Sequence, residues 1–117
     1  MDLKATFSKE ELFGLFELDD AGVVRYSRPV FSVRQNDGED PLIGQNFFEH
    51  ALFGNIDDLH RHFKRFVYSH RGAESFTLDC LFETETIKAK VLMTRAFETE
   101  LFPASNVVML DIRKNAV

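Results

Sequence analysis

The sequence of 117 residues predicts an α+β fold in which helices cover one face of a five-stranded antiparallel sheet. Three observations predict this class. A strand hairpin comes first, helix signals fill the middle of the chain, and three alternating strands follow. A five-stranded sheet with one solvent-exposed face must bury the other face, and the intervening helices are the elements that can pack on it. No linker or repeat divides the chain, so we expect an N-terminal helical cap at 1–12 and a single domain at 13–117.

The first element is a short amphipathic turn. Ser8 and Glu11 have the spacing of a capping box, in which each side chain accepts a hydrogen bond from the backbone N–H of the other residue. Phe7 and Leu12 occupy the apolar positions on either side. This turn should open the fold.

A hairpin follows, with predicted strands at 13–18 and 23–26. The turn between them, 19–22, reads Asp-Asp-Ala-Gly and supplies the residues that tight turns favour. From 27 to 41 the chain loses its periodicity and passes through a polar stretch with two prolines. We interpret this stretch as loop with short helical turns.

The longest predicted helix begins at Asn55 and ends before Gly72. Asn55 is a favourable N-cap residue, and two aspartates follow it in the first turn. His70 and Arg71 would close the last turn. The apolar stripe that should face the sheet consists of Leu59, Phe63, Phe66 and Val67.

Three strands are predicted in the last third of the chain. Apolar and polar residues alternate at 76–83, 87–94 and 108–112, which gives each strand one apolar side. The first two should form a long hairpin across a turn rich in Glu and Thr. A loop at 101–105 separates them from the third.

The composition is that of a soluble globular protein whose core contains many phenylalanine rings. Hydrophobic residues make up 44% and charged residues 28%, and the aromatic residues are 13 Phe and 2 Tyr without Trp. Phenylalanine has no polar group, so most of these rings must be buried. Such a core suits a pocket for a planar ligand, but the composition favours a core filled by its own rings.

The charge and the chain start exclude several classes of protein. A net charge of -5 gives no basic surface for nucleic acid, and the basic residues of the long helix are mixed with apolar ones. No apolar run approaches the ~20 residues that cross a bilayer, and the start is not a signal peptide, so we expect a cytoplasmic protein that binds no membrane. The single cysteine, Cys80, excludes an internal disulfide framework.

Three segments resemble the PAS domain superfamily, and within it the photoactive yellow protein family. They are 43–48 (Ile-Gly-Gln-Asn-Phe-Phe), the hairpin 18–26, and the strand 88–93 (Lys-Ala-Lys-Val-Leu-Met). The first is fairly specific, whereas the hairpin is general to PAS domains. The resemblance implies a sensory or signalling domain that binds a small ligand or a protein partner and responds by a conformational shift. It also implies that the chain is not an enzyme and could form a homodimer.

The resemblance does not extend to the photochemistry. The cysteine that carries the coumaroyl chromophore in this family falls at Gly54, and its buried glutamate falls at Val30. Tyr26 matches the tyrosine that hydrogen-bonds the phenolate. Cys80 lies on a strand remote from the attachment position and cannot replace the missing cysteine. We therefore expect no covalent coumaroyl group, and the cofactor, if there is one, is unknown. The cysteine context of flavin-binding PAS domains is also absent.

Two alternatives remain open. Some PAS domains bind haem through a histidine of the long helix, and the helical wheel makes His62 and His70 the reasonable axial ligands for a gas or redox sensor, whereas His60 points away. A small isomerase-like enzyme would need an ionisable side chain at the base of an apolar pocket. No phosphate loop, metal-binding histidine pattern or nucleophile motif supports an enzyme.

The sequence also predicts where a ligand would bind. It should lie between the long helix and the sheet, and rings packed against each other there would favour an interaction module instead. The candidate pocket residues are Tyr26, Phe48, His62, Phe63, Phe66, Cys80 and Met93.

Overall fold

The computed structural model describes residues 12–29, 42–50, 53–96 and 107–115. Within these ranges the chain forms five strands and two helices. In chain order they are β1 (Gly14–Leu18), β2 (Val24–Pro29), α1 (Phe47–His50), α2 (Ile56–Tyr68), β3 (Ala73–Leu81), β4 (Thr86–Ala96) and β5 (Val107–Lys114).

The strands form one sheet in the order β2-β1-β5-β4-β3. Every neighbouring pair is antiparallel, including the pair formed by β1 and β5 from opposite ends of the chain. The buried residues of α1 and α2 belong to the same core cluster as one face of this sheet. The predicted five-stranded antiparallel sheet with helices on one face is therefore confirmed.

The core lies between the helices and the inner face of the sheet. Along β1, β4 and β5 the inward side chains alternate with outward ones and are buried, whereas on the edge strand β3 the inward side chains before Cys80 are only half-buried. From α2, Leu59, Phe63 and Phe66 are buried at the predicted spacing. The largest inward side chains of the sheet are Phe16, Leu18, Val91, Met93, Leu110 and Ile112, none more than 1% exposed.

β2 is longer than the sequence predicted. It continues to Pro29, whereas the predicted strand ended at Tyr26. A proline at the end of an edge strand removes no hydrogen bond from the sheet, because its missing N–H can face away from the neighbouring strand. The loss of periodicity after Tyr26 therefore did not mark the end of the strand.

α2 ends at Tyr68, before the predicted end at Arg71, and a side chain from β4 closes it. The guanidinium of Arg95 donates to the carbonyls of Phe66 at 2.7 Å, Ser69 at 2.7 Å and Arg71 at 2.9 Å. The same group lies 4.7 Å from the centre of the Phe66 ring. Arg95 thus supplies the donors that carbonyls at a helix end need.

The other end of α2 is attached to β3. Asn55 is at the predicted N-cap position, but its side chain makes no capping hydrogen bond, so that part of the prediction is wrong. Instead its amide donates to the carbonyl of Asp79 at 2.7 Å and accepts from the N–H of Leu81 at 3.0 Å. The N–H of Gly54 donates to the carbonyl of Leu81 at 2.7 Å. Both ends of α2 are therefore attached to the β3–β4 hairpin.

Some predicted elements lie outside the described residues. They are the capping turn at 1–11, most of the loop at 27–41, and the loop at 101–105. Leu12 is described, and it is buried in the core. Among the described helices, none combines the length and apolar character that crossing a membrane requires.

Arg95→Ala should lower the free energy of unfolding by about 2–4 kcal/mol, because it removes the Arg95 donors of the Ser69 and Arg71 carbonyls just after α2, while the Phe66 carbonyl keeps the N–H and hydroxyl of Ser69. Arg95→Lys should recover part of this loss, since one ammonium cannot serve three separated carbonyls as a planar guanidinium does. Urea unfolding measures both changes. The matched control is Arg113→Ala, which removes an exposed pair with Asp111 and should leave stability nearly unchanged. Similar losses at the two arginines would contradict this role.

Candidate functional site

Two turns meet where the aromatic rings gather. The side chain of Asn46 donates to the carbonyl of Ala21 at 3.0 Å and accepts from the N–H of Phe48 at 3.0 Å. The N–H of Phe47 donates to the carbonyl of Gly22 at 2.9 Å. Gly22 has φ 94°, and a Cβ there would lie 3.1 Å from the Phe48 ring. The hairpin turn and the start of α1 are thus held together at a place where only glycine fits.

Four phenylalanines form a continuous set of ring contacts, here called the aromatic cluster: Phe16, Phe47, Phe48 and Phe63. Phe47 lies 4.9 Å from Phe16 and 5.3 Å from Phe48, with the second contact edge to face. Phe48 lies 5.0 Å from Phe63 of α2. These separations are typical of favourable aromatic pairs. The paired phenylalanines of 43–48 are therefore both delivered to the core, as predicted.

His60 closes the aromatic cluster on the α1 side. Its ring stacks on Phe48 with centroids 4.3 Å apart and planes 10° apart. Desolvation by burial and, to a smaller degree, the Lys64 ammonium lower the pKa of His60, while Asp57 acts in the opposite direction. The prediction that His60 points away is wrong, because α1 packs beside α2 and covers a face that the helical wheel assigned to solvent.

His62 lies on the other side of α2. It stacks on Phe76 of β3 with centroids 3.9 Å apart, and its Nδ1 is 4.0 Å from a carboxylate oxygen of Glu74. That Nδ1 is buried without a hydrogen-bond partner among the described residues. The two histidines thus rest on opposite sides of the apolar stripe of α2, one against α1 and one against β3.

The structure brings most of the predicted pocket residues to one core. Phe48 and Phe63 are in ring contact, and they share a buried cluster with three further candidates, namely Phe66, Cys80 and Met93. Tyr26 is not among them. It pairs with Glu17, whose neighbours in β1 point inward, so Tyr26 lies on the opposite face of the sheet and is 42% exposed.

Cys80 is not an available nucleophile. It is buried in the core, and burial together with the neighbouring Asp79 carboxylate raises the pKa of its thiol to about 11. The thiol is therefore protonated at neutral pH, and the thiolate that would attack an electrophile is not populated. This is the behaviour of a small apolar core residue.

Gly54, the position at which the family's chromophore cysteine would fall, lies close to β3. No thiol is present there, and a Cβ at this position would lie 3.3 Å from the carbonyl oxygen of Leu81. Beside it is an open, shallow concavity of about 520 Å³ lined by Phe53, Gly54, Leu81, Phe82 and Glu83. The close approach of Gly54 to β3 therefore occupies the space that a side chain would need.

The haem candidates are not brought to the aromatic cluster. His70 is exposed beyond the end of α2, and His62 packs against Phe76. Within the described ranges, no group of three or more His, Cys, Asp or Glu could hold a metal ion. The four cluster rings carry no ionisable group, and the ionisable side chain in ring contact with them within the described part of the chain is His60.

Comparison with known proteins places the fold. No protein-family model matches the sequence, and no curated protein matches it. The PAS domain of BvgS from Bordetella pertussis matches with a TM-score of 0.65 and 10% identity, over 90% of this chain and 78% of that chain. This chain has the PAS fold.

Two further solved structures agree. The photoactive yellow protein domain of the sensor histidine kinase Ppr from Rhodospirillum centenum matches with a TM-score of 0.61 and 21% identity, over 92% of this chain and 97% of that chain. The PAS domain of an HTR-like protein from Haloarcula marismortui matches with a TM-score of 0.55 and 14% identity, over 87% and 85%. At these identities the likeness is one of fold.

Two residues that hold this PAS fold together were missed from the sequence. Arg95 follows Met93 by two residues, so strand alternation places it on the inner face, and an inward arginine at a strand end was a signal of a buried partner. Asn46 stood inside the recognised motif, and its bond from the N–H of Phe48 is local, at the start of α1. Its other bond goes to the hairpin turn 25 residues away, and that part of its role could not be read from local spacing.

Gly54→Ala should destabilise the protein by about 1 kcal/mol, because the added Cβ presses on the backbone of β3. The matched control is Gly72→Ala, where a Cβ would meet nothing within 4 Å. That change should be neutral or stabilising by about 0.5 kcal/mol, through the entropy of the unfolded chain. Thermal or urea unfolding separates the two, and the same sign for both would contradict the close approach of Gly54 to β3.

Stability should depend on pH through His60. Its pKa is lower in the folded chain than the ordinary 6.5, so the unfolded chain binds more protons as the pH falls below that value. The stability that His60 contributes is therefore present above 6.5 and lost on acidification. His60→Phe keeps a ring on Phe48 but cannot titrate, so it should reduce this loss. Urea unfolding midpoints of the wild type and the variant, measured above pH 6.5 and well below it, test this prediction. If the variant lost as much stability on acidification as the wild type, the role of His60 would be rejected.

Proposed function

We propose that this chain is a PAS-type sensory or signalling domain that acts by contact with a protein partner. The observation that supports this most directly is the aromatic cluster. Its rings touch one another at 4.9 to 5.3 Å between α1, α2 and the sheet, where a planar ligand would otherwise lie. A region filled by the chain's own side chains suits an interaction module better than a ligand sensor.

The outer face of the sheet offers a surface for a partner. Leu15 and Leu92 lie on either side of Asp111 across three adjacent strands, and Met109 precedes Asp111 by two residues on the same face. Leu92 is 40% exposed. We call these three apolar residues the outer-face patch. The patch thus combines three apolar side chains with an ion pair, Asp111 and Arg113, and both Met and Arg are residues that protein interfaces are enriched in.

The attachment of α2 gives a route for a response. Both ends of the helix are bonded to β3 or β4, and β4 carries Leu92 of the outer-face patch. A partner that favours one twist of these strands therefore also favours one position of α2. This is a shift between existing conformations, and its size is limited by the difference in affinity of the partner for the two.

Photocrosslinking in cells tests the proposal. Leu92 is replaced by p-benzoylphenylalanine to present a crosslinker on the outer face, and Tyr68, which is 83% exposed on α2, is replaced in the matched control. We expect a discrete adduct with another protein at position 92 and none at position 68. Leu15→Glu, introduced beside the crosslinker, should abolish the adduct, because a charge then enters the apolar patch.

Adducts of equal yield at the two positions would overturn the proposal, since they report random collision.

Mass spectrometry of the purified protein under native and denaturing conditions tests the ligand alternative. A small molecule that travels with the native protein, and is released on denaturation, would assign the chain to ligand sensing instead. We expect the native mass to equal the mass of the polypeptide.

A further inference from the structure

The edge strand β3 has a closed half and an open half. At its C-terminal end the carbonyl of Asp79 and both backbone groups of Leu81 bond to Asn55 and Gly54. These bonds show that odd-numbered residues of β3 direct their N–H and C=O groups away from β4. In agreement, the carbonyl of the even-numbered Gly72 accepts from the N–H of Arg95, toward β4.

The open half comprises three residues. By the same alternation, the N–H and C=O groups of Ala73, Ser75 and Thr77 point outward from the edge of the sheet. No residue in the described part of the chain bonds to these outward groups. The outer-face side chains of these three residues are small and uncharged, and neither proline nor lysine occurs in the stretch, which carries one charge on its inner face, at Glu74. This stretch is a template for one more strand.

We propose that the occupant is β3 of a second copy of this chain, paired antiparallel about a two-fold axis at Ser75. Ser75 then faces its own counterpart, and Ala73 faces Thr77 of the second copy on both sides. The pairing uses every open backbone group of the edge and forms about six hydrogen bonds. An isologous contact of this kind closes after two copies.

The neighbouring registers are less favourable. Moving the axis to Glu74 would place the two Glu74 carboxylates directly opposite each other, which is unfavourable. Moving it to Phe76 would require outward groups of Asp79, whose carbonyl already accepts from Asn55. With the axis at Ser75, Glu74 faces Phe76 of the second copy, and no like charges meet.

Charge also selects this register and this partner. Arg71 lies just before β3 and outside the regular pairing, since its carbonyl accepts from Arg95. Its long side chain would extend from the end of the paired stretch toward the Asp79 carboxylate of the second copy, and the two-fold axis makes this contact twice. Both side chains are exposed on the described surface. Asp79 bonds Lys88 through one carboxylate oxygen, so its other oxygen can accept from an arginine. A second copy supplies this arginine at the right position, whereas an arbitrary peptide need not.

The resulting dimer would have one sheet running through both copies. Because the contact is a single strand pair with short side chains, we expect a weak and concentration-dependent dimer rather than an obligate one. The outer faces of the two sheets would then be continuous, with two outer-face patches on one surface.

Disulfide trapping tests the register. Ser75→Cys puts two thiols at a directly opposed pair, where Cα atoms are about 5.5 Å apart and a disulfide can form. Thr77→Cys is the matched control on the same strand and face, because the two copies of residue 77 would be about 13 Å apart. Cys80 is buried in both proteins. Under mild oxidation we expect a crosslinked dimer from Ser75→Cys and only traces from Thr77→Cys.

A charge exchange tests the pairing without a crosslink. Arg71→Glu and Asp79→Arg should each weaken self-association about tenfold or more, by placing like charges opposite each other. Mixed together, the two variants should form a heterodimer, because both contacts then join opposite charges. Sedimentation at high protein concentration measures all three samples.

Several results would overturn the proposal. They are equal crosslinking at 75 and 77, no association of the wild-type chain at millimolar concentration, or a mixture that associates no better than its components. Circular dichroism of each variant shows whether it remains folded. Since the partner in this test is the chain itself, its outcome is independent of whether the outer-face patch binds another protein.

Discussion

The position of α2 depends on hydrogen bonds made by two polar side chains, one at each end. The apolar stripe of the helix buries well, but apolar contact has little directional preference and would allow the helix to slide or turn over the sheet. Arg95 and Asn55 remove that freedom, because hydrogen bonds require a defined distance and angle. Both residues bridge α2 and the β3–β4 hairpin, so the helix and the hairpin form one mechanical unit.

The aromatic cluster depends on this placement. Phe63 reaches Phe48 only when α2 lies at its observed angle, and Phe48 is held in turn by the turn residues Gly22 and Asn46. A chain of contacts therefore runs from the β1–β2 turn through α1 and α2 to the edge of the sheet. Packed rings shift between discrete arrangements rather than deforming gradually, which makes such a chain suitable for passing on a conformational change.

Much of the fold was predictable from the sequence, and the reason is periodicity. The last three strands and α2 have patterns of period two and 3.6 that depend on nearby residues alone, so their faces were assigned correctly. The ends of elements were less predictable. α2 stops at Tyr68 because Arg95 accommodates the chain there, and β2 continues to Pro29 because an edge strand tolerates proline. Both are consequences of residues distant in sequence.

The candidate site was predictable in composition but not in geometry. Phe48, Phe63 and Phe66 were correctly placed in the core, since rings of this size must be buried. Tyr26 was expected beside the ligand pocket and is exposed on the opposite face of the sheet, whereas His60 was expected to point away and packs on Phe48. An irregularity in the register between β1 and β2 at Leu18 precedes Tyr26, and the packing of α1 covers His60. A helical wheel or an alternating pattern describes one element, whereas these positions are decided by the element that lies next to it.

The two edges of the sheet explain where association can occur. Beside β2, the segment at 44–46 runs antiparallel and bonds to both the N–H and the C=O of Val24. Part of that edge is therefore already occupied by the chain itself. At β3 the amide of Asn55 performs this function together with the backbone N–H of Gly54, because the amide presents a donor and an acceptor as a neighbouring strand would. It reaches Asp79 and Leu81 but no further. Among the described residues this protection therefore ends partway along the strand, and the backbone groups of Ala73, Ser75 and Thr77 beyond it are those that the proposed pairing with a second copy would use.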